Sequence, residues 1–320
     1  RFFIIMRIAV TGGNGLVGSS IKAIAHQYPE HEFVFLKRSD CELASRMAVM
    51  TFFSSAYNRF DCIIHLAAKV GGLFMNLDSN VEMFSENIKI NENILFACKK
   101  YGIKRGIFCL SSCIYPCNPS RFPMDESMIH ESPPHPSNEG YAYAKRMLEV
   151  QCRQHNKAYG TEYICVVPVN LYGPYDNFSI KNGHVIPAIM NRFHGEKAKK
   201  DGKFTVYGTG RPYRQFLYAP DFAKIICDVL LDKKYDNTEP LICCNDETTI
   251  KEMVGTLAES MDISVDKLEW DTSKSDGCMK KTVDNSKLCK YYPEFKFTSL
   301  QDGLKETYKW FCDNRETLRQ

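Results

Sequence analysis

The chain has 320 residues, 44% of them hydrophobic and 25% charged, with a formal net charge of +3. That balance suits a soluble globular protein of about two domains' length, and so small a charge with no long basic run excludes the usual signatures of nucleic-acid or membrane-surface binding. No segment approaches the ~20 apolar residues that span a bilayer, and the 14 cysteines contain no CxxC pair, so neither a metal site nor a disulfide framework is expected. Cys109, Cys113 and Cys117 recur every fourth residue, but the first closes a predicted strand and the three need not share a face. The opening Arg1–Met6 run is too short for a signal core and leads into the first strand. The expected location is the cytoplasm, where the sequon Asn177-Phe178-Ser179 would stay unused.

Arg7 to Val10 reads as a short buried strand, followed by Thr11-Gly12-Gly13-Asn14-Gly15-Leu16-Val17-Gly18 and an apolar-patterned helix from Leu16 to about Gln27. Strand, glycine turn and helix together form the setting of a dinucleotide fingerprint. Gly12 permits the tight turn, Gly15 the approach of backbone to a diphosphate, and Gly18 the close packing of helix on strand. Asn14, Leu16 and Val17 complete the turn, at a helix start whose free N–H groups suit phosphate. A second strand is predicted over Glu32 to Leu36, with Lys37 and Arg38 directly after it. NAD-selective sites carry an acidic residue there for the ribose 2′-hydroxyl. Two cations favour a 2′-phosphate instead, hence NADP(H), although Asp40 and Glu42 lie near enough to leave NAD open.

Asp61 to Ala68 is predicted as a buried strand whose end, Leu66, Ala67 and Ala68, leaves room for a cofactor ring or ribose. His65 within it reads as a hydrogen-bonded core histidine. A long helix is predicted over Val81 to Tyr101 and a strand over Gly106 to Leu110. That strand delivers Ser111 and Cys113 to its C-terminal edge, where open α/β sheets bind ligands. Pro116 to Pro136 reads as a long surface loop. A helix from Tyr141 to about Tyr159 puts Tyr141 and Lys145 on one face. The ammonium is expected to lower the tyrosine from its usual ~10. Tyr141 can then protonate a carbonyl oxygen as hydride arrives, with Ser111 bonding the same oxygen. Tyr143 lacks a lysine four residues on.

Further along, a helix is predicted over His184 to His194 and a strand over Phe204 to Tyr207, before Gly208-Thr209-Gly210. A helix is expected to begin near Asp221 with that residue as N-cap. Helices over Thr248 to Met261 and Leu300 to about Asp313 follow, with Lys280 and Lys281 in a loop between them.

These motifs, together with Pro168-Val169-Asn170-Leu171-Tyr172-Gly173-Pro174 and Arg214-Gln215-Phe216-Leu217-Tyr218 before Asp221, resemble the extended short-chain dehydrogenase/reductase family over most of the chain. The resemblance implies an α/β fold, a Rossmann-type doubly wound parallel sheet with a smaller mixed α/β substrate-binding domain. The NADP-binding domain would span 1–174 with a return segment about 215–244, which brings the Leu241 strand back to the sheet. The substrate-binding domain would span 175–214 and 245–320. Lys69-Val70-Gly71-Gly72, SSCIYP, NLYGPYDNF, the HVIPA run from His184 and Lys274-Ser275-Asp276-Gly277 are similar to members that act on GDP-4-keto-6-deoxy-D-mannose. Those enzymes invert C3 and C5 and reduce C4 with NADPH. Related sugar-nucleotide dehydratases carry an acidic residue near the position of Cys113.

By that resemblance Ser111, Tyr141 and Lys145 match a reductase triad, and Cys113 and His184 the epimerisation base and acid; spacing alone does not pair the last two. Asn170, Arg192, Tyr207, Arg214, Asp276 and Lys281 fall at substrate-binding positions. Pro168, Asn170, Leu171 and His184 join Tyr141 and Lys145 beside the cofactor. The family also implies a homodimer through the helices at Val81–Tyr101 and Tyr141–Tyr159. Two alternatives stay open: another nucleotide-sugar epimerase, reductase or dehydratase of this fold and, more distantly, a non-catalytic NADP-sensing protein. The second is disfavoured because the chain keeps both Tyr141 and Lys145.

Overall fold

A computed structural model of the chain describes residues 5–72, 76, 78–197, 203–274 and 276–319. Residues 1–4 of the opening run, and Ser275 within Lys274–Gly277, lie outside the described residues. Short β-branched and aromatic runs form strands β1 (Arg7–Thr11), β2 (Glu32–Leu36), β3 (Cys62–His65), β4 (Arg105–Cys109) and β5 (Glu162–Pro168). After them come β6 (Asn170–Tyr172), β7 (Phe204–Tyr207), β8 (Tyr213–Tyr218), β9 (Leu241–Cys243), β10 (Glu247–Thr249) and β11 (Leu268–Asp271).

Six of these make one sheet in the order β2-β1-β3-β4-β5-β9, with every neighbouring pair parallel. Because all six run the same way, their C-terminal ends share one edge. The chain reverses strand order after β2, and ligands in such sheets bind beside that switch. Helices α1 (Leu16–Ile24), α2 (Arg46–Ser54), α3 (Asn80–Tyr101) and α4 (Glu139–Tyr159) belong to this half, as does α6 (Ala219–Leu231). α1 packs on α6, while α2, α3 and α4 pack in succession. Gly102, at φ 76°, stops α3 with the left-handed cap that glycine adopts without strain.

The remaining elements are α5 (Val185–Lys197), α7 (Ile250–Ser260), α8 (Ser286–Tyr291) and α9 (Leu300–Asp313), with a three-stranded sheet β10-β8-β6 and a β11-β7 pair. Two hydrophobic cores result, and β8 belongs to both. Leu217 packs in the core of the large sheet, while Phe216 and Tyr218 on either side pack with α5, α7 and α9. The two-residue period of a strand makes this possible, so the halves are joined by shared packing.

Several boundaries differ from the sequence reading. The strand predicted to Ala68 stops at His65, because Leu66 N and Ala67 N donate to the Thr11 side chain at 3.1 and 3.2 Å and turn the chain under the glycine loop. The helix predicted to Gln27 ends at Ile24 and tightens into a 3-10 turn. Asp221 is not an N-cap: Tyr218 holds that position, and Asp221 accepts from Thr298 N and Oγ1 at 2.6 and 2.9 Å. The helix predicted from Thr248 begins at Ile250, where Thr249 and Glu252 form a reciprocal capping box after a short strand. The Pro116–Pro136 segment is less superficial than its composition suggests. Arg146 donates to Ile114 O and Ser132 O, both at 2.7 Å, Met124 N donates to Thr282 O, and Met124, Met128 and Ile129 are buried.

Candidate active site

The glycine turn after β1 is shaped by backbone alone. A Cβ on Gly18 would lie 2.5 Å from Gly12 O and 2.7 Å from Gly13 Cα, and one on Gly13 would lie 2.8 Å from Phe35 Cβ. Gly12, at φ 72°, is pressed on the Ala67 backbone, where a Cβ would come within 2.9 Å of Ala67 N. Overpacking of this kind costs about 1–3 kcal/mol or forces the backbone apart. The helix behind the turn, α1, starts at Leu16 with Gly15 as N-cap and no side-chain cap among the described residues. Its first N–H groups, that of Val17 among them, are thus left without a side-chain acceptor, and a diphosphate is a natural partner for such a helix start. The cradle that side chains would fill, and the uncapped helix start, fit a dinucleotide.

Beyond β2, Lys37 and Arg38 are exposed. The carboxylates that left NAD open are engaged locally. Asp40 Oδ2 accepts from Lys37 N at 2.8 Å, and Glu42 holds Arg38 at 2.7 Å and takes Ala44 N. Both carboxylates are thus held within this loop. His65 is the core residue expected: Nδ1 lies 2.8 Å from Thr11 Oγ1 and Nε2 3.2 Å from Asn91 Oδ1, and burial lowers its pKa to about 3.

The reactive groups gather at the end of β4. Ser111 is extended, at φ −165°, and its hydroxyl accepts from Cys113 N at 3.3 Å, capping the 3-10 turn Ser112–Ile114 that carries Cys113. Cys113 is 7% exposed. Burial raises its thiol pKa, opposed first by Lys281, then by its bond to Ser111 and by Lys145 and Arg146. On α4, Lys145 is almost wholly buried; its Nζ donates to Cys109 O at 2.6 Å and lies 5.8 Å from the Tyr141 ring centre. Burial lowers the Lys145 pKa while Cys109 and Cys113 oppose it.

The sequence reading of Tyr141 needs a correction. Its pKa stands well above that of a free phenol, raised by burial first and then by Cys113 and Cys109. Lys145, tied to the Cys109 carbonyl, does not offset that burial. The phenol is thus held protonated, the state a proton donor requires. Tyr143, the other tyrosine of the motif, lines a groove between α3 and α4.

Other candidate residues come from distant parts of the chain. Pro168 closes β5, and Asn170, at the start of β6, donates to Gln215 O at 2.9 Å with Leu171 half-buried beside it. His184 is exposed and directly precedes α5, its carbonyl accepting from Ala188 N. The Lys69–Gly72 loop is fastened to α3 by paired bonds with Asn87 and a 2.8 Å Lys69–Glu86 ion pair, and Gly72 N donates to Asn182 O. The segment before His184 is thereby tied to the end of β3. On α5, Arg192 Nη2 donates to Thr205 O at 2.7 Å and its guanidinium lies 4.9 Å from the Tyr207 ring centre. Its Nε is buried with no partner among the described residues.

Lys281 reaches the cleft because its strand-like segment pairs on both sides, Lys280 with Tyr213 and Val283 with Met124. Burial lowers the pKa of both Lys281 and Arg214, and Arg214 lowers Lys281 further. Two partly desolvated cations that act on one another suit an anionic ligand. Asp276 is engaged otherwise: it accepts from Thr209 N and Oγ1 at 2.6 and 2.7 Å, clamping the Gly208–Gly210 turn. The structure thus brings Ser111, Cys113, Tyr141, Lys145, Lys281 and Arg214 into one electrostatic neighbourhood. Arg192 with Tyr207 forms a second station. Sequence reasoning missed the Lys69–Asn87 clamp.

A parallel sheet with a glycine-shaped phosphate turn, and a serine, tyrosine and lysine at its C-terminal edge, defines a Rossmann-type dinucleotide-dependent enzyme. Residues 8–240 match the NAD dependent epimerase/dehydratase family, and the chain belongs to that family. It is 43% identical to a GDP-L-fucose synthase of Dictyostelium discoideum, over 98% of this chain and 97% of that one. A probable GDP-L-fucose synthase of Drosophila melanogaster is 39% identical over 98% and 99% of the two chains. Among solved structures, a GDP-L-fucose synthetase from Naegleria fowleri bound to NADP is similar with a TM-score of 0.89 and 36% identity, covering 99% of this chain and 98% of that one.

Proposed function

We propose that this enzyme converts GDP-4-keto-6-deoxy-D-mannose to GDP-L-fucose, inverting C3 and C5 and reducing the C4 ketone. What supports this reading is the meeting of Ser111, Cys113, Tyr141 and Lys145 at the end of β4, taken with near full-length similarity to proteins of that name. The C4 carbonyl acidifies the hydrogens at C3 and C5. Cys113 Sγ removes such a proton, and His184 returns one from the other face of the ring. Ser111 Oγ and the Tyr141 phenol hydrogen-bond the enolate oxygen, as an oxyanion site does. The same two groups then hold the carbonyl for reduction, and Tyr141 gives its proton to O4. A buried thiol is a strong base once ionised, and Lys281 is the largest charge favouring its thiolate.

Gly12, Asn14, Gly15, Leu16, Val17 and Gly18 hold the cofactor diphosphate, and Lys37 and Arg38 its 2′-phosphate. Leu66, Ala67, Ala68, Pro168, Asn170, Leu171 and His184 line the remainder, and Lys145 fixes the nicotinamide ribose beside Tyr141. When bound, NADPH supplies the hydride that C4 receives. Arg192, Tyr207, Arg214 and Lys281 bind the GDP moiety, Asn170 lies by the sugar, and Asp276 acts by bracing the Gly208–Gly210 turn.

The proposed domains are the NADP-binding unit, 1–174 with 215–244, and the substrate-binding unit, 175–214 with 245–320. Val81, Phe84 and Met147 are exposed around a groove of about 480 Å³ between α3 and α4, and a second copy covering this face makes a homodimer. All 14 cysteines are free, most of them buried, which suits the reducing cytoplasm. Among the described residues no helix is long and apolar enough to cross a membrane.

Incubation with GDP-4-keto-6-deoxy-D-mannose and NADPH, with the product identified by NMR, tests the reading. GDP-L-fucose is expected. GDP-6-deoxy-mannose or GDP-6-deoxy-talose would leave the reductase and remove the epimerase, and no NADPH oxidation would overturn the substrate.

A further inference from the structure

Arg146 follows Lys145 on α4 and is 4% exposed. Arginine is seldom buried so deeply without a carboxylate beside it. Here the acid one turn on, Glu149, is taken by His130 and Arg153 at 2.8 and 2.9 Å. The hydrogen bonds of Arg146 go to two backbone carbonyls instead. Its Nε donates to Ile114 O and its Nη2 to Ser132 O, both at 2.7 Å, and the guanidinium lies 5.5 Å from the Tyr143 ring centre. A planar fork of donors spans two acceptors in fixed geometry, which a lysine ammonium does not.

Both carbonyls bear on how Cys113 is held. Ile114 closes the 3-10 turn Ser112–Ile114, in which Ser111 Oγ accepts from Cys113 N at 3.3 Å and Ser111 O from Ile114 N at 3.1 Å. Those bonds fix the start of the turn. The last carbonyl of such a turn has no partner inside it, and Arg146 supplies one. Cys113 thus sits between a serine that holds the turn at its start and an arginine that holds it at its end. Ser132 lies near the far end of the Pro116–Pro136 segment, whose base is closed by Cys117 N donating to Pro133 O at 3.0 Å. The guanidinium therefore joins the turn, the base of that segment and the helix that bears Tyr141 and Lys145.

We propose that Arg146 is a positioning residue for Cys113: its two bonds hold the Ser112–Ile114 turn against α4, so that Sγ meets the sugar carbon at a fixed distance from the Ser111 and Tyr141 hydroxyls that clamp the carbonyl. This rests on the reading of Cys113 as the epimerisation base. In that step Sγ takes the proton from C3 or C5, the electron pair passes to O4, and a solvent-derived proton later returns to carbon. A base displaced by about 1 Å loses up to about a hundredfold in rate. Hydride transfer to C4 uses Ser111 and Tyr141 and needs no contact with Sγ. Arg146 acts through the turn, not on the sugar.

The test is deuterium wash-in at C3 and C5 of GDP-4-keto-6-deoxy-D-mannose in heavy water, with the NADP+-loaded enzyme, beside NADPH-dependent reduction of the pre-epimerised ketone. Arg146→Met keeps the length of the stem but neither bond. It should slow wash-in roughly tenfold or more and leave reduction within about threefold. Arg146→Lys keeps the charge but reaches one carbonyl at a time, so its wash-in should fall between those of Arg146→Met and the parent. A parallel loss of wash-in and reduction would make Arg146 a brace of the whole fold and overturn the proposal, as would wash-in at the parent rate in Arg146→Met. Parent-like wash-in in Arg146→Lys would mean that charge alone suffices. So would recovery of Arg146→Met at higher pH, where the thiol ionises unaided, and either result overturns the positioning. If Arg146→Met does not fold, Arg146→Lys decides by the same ratio of wash-in to reduction. Cys113→Ser separates the two layers. Normal wash-in there removes the base and the proposal with it, while slow wash-in there beside normal Arg146 variants removes the positioning alone.

Discussion

The nucleotide wall of the cleft and its sugar wall are made in different ways. Gly12 and Gly18 shape the first with backbone, so tightly that added carbons would meet main-chain atoms at 2.5 to 2.9 Å, and Gly13 packs as closely on Phe35 Cβ. Cys113, Arg214 and Lys281 reach the second from separate stretches of chain, as side chains whose ionisation is set by burial and by neighbouring charges. One wall is a shape and the other a balance of charges. Substitutions on the first should therefore act through fit and abolish binding as a whole. Substitution of Cys113 on the second should act on a single proton transfer and leave cofactor binding in place.

The hardest blow to the shape is Gly18→Val. Its side chain would meet Gly12 O and the Gly13 backbone, and NADPH affinity should fall about a hundredfold or more, consistent with the ~1–3 kcal/mol of overpacking plus a displaced helix start. Calorimetric titration of NADPH checks it, and near-normal affinity would mean the turn is not the phosphate site. On the charge wall, Tyr141→Phe should lower the rate of reduction by about 10²–10⁴ while NADPH binds as before. Stopped-flow oxidation of NADPH against its binding isotherm separates the two effects, and a loss of affinity equal to the loss of rate would erase the distinction between the walls.

Outside the cleft the expected effects are smaller. Phe84→Asp, on the exposed α3–α4 groove, should shift the protein from dimer to monomer in light scattering at micromolar concentration; a monomeric parent protein would remove the dimer. His65, beneath the turn, is kept neutral, with its pKa lowered to about 3. The unfolded chain takes up a proton near ~6.5 that the folded chain refuses, so stability falls as pH falls through that window, by up to ~1.4 kcal/mol per pH unit. Urea denaturation between pH 6 and pH 4 should be less pH-dependent in His65→Gln. An unchanged slope would mean that other groups set it.

The same contrast explains what the sequence revealed. The nucleotide wall was legible because its residues are contiguous: a strand, TGGNGLVG and a helix occupy one stretch, and Glu32–Leu36 came out as predicted. Tyr141 and Lys145 were legible because helical spacing puts them on one face. Cys113 and His184 could be matched only through resemblance, since no periodicity links residues so far apart. The ionisation of Tyr141 was misjudged for a related reason. Spacing puts a lysine nearby, but the lysine donates to Cys109 O and burial decides the outcome, and neither fact is local.

The most direct test of the central claim, that one carbonyl clamp serves inversion and reduction while separate residues drive each, is Cys113→Ser given the pre-epimerised 4-ketone and, in parallel, GDP-4-keto-6-deoxy-D-mannose, both with NADPH. The account predicts that the first is reduced to GDP-L-fucose at close to the parent rate and that the second yields almost none. Loss of both conversions in a folded variant that still binds NADPH would contradict it, because the thiol would then belong to the clamp itself.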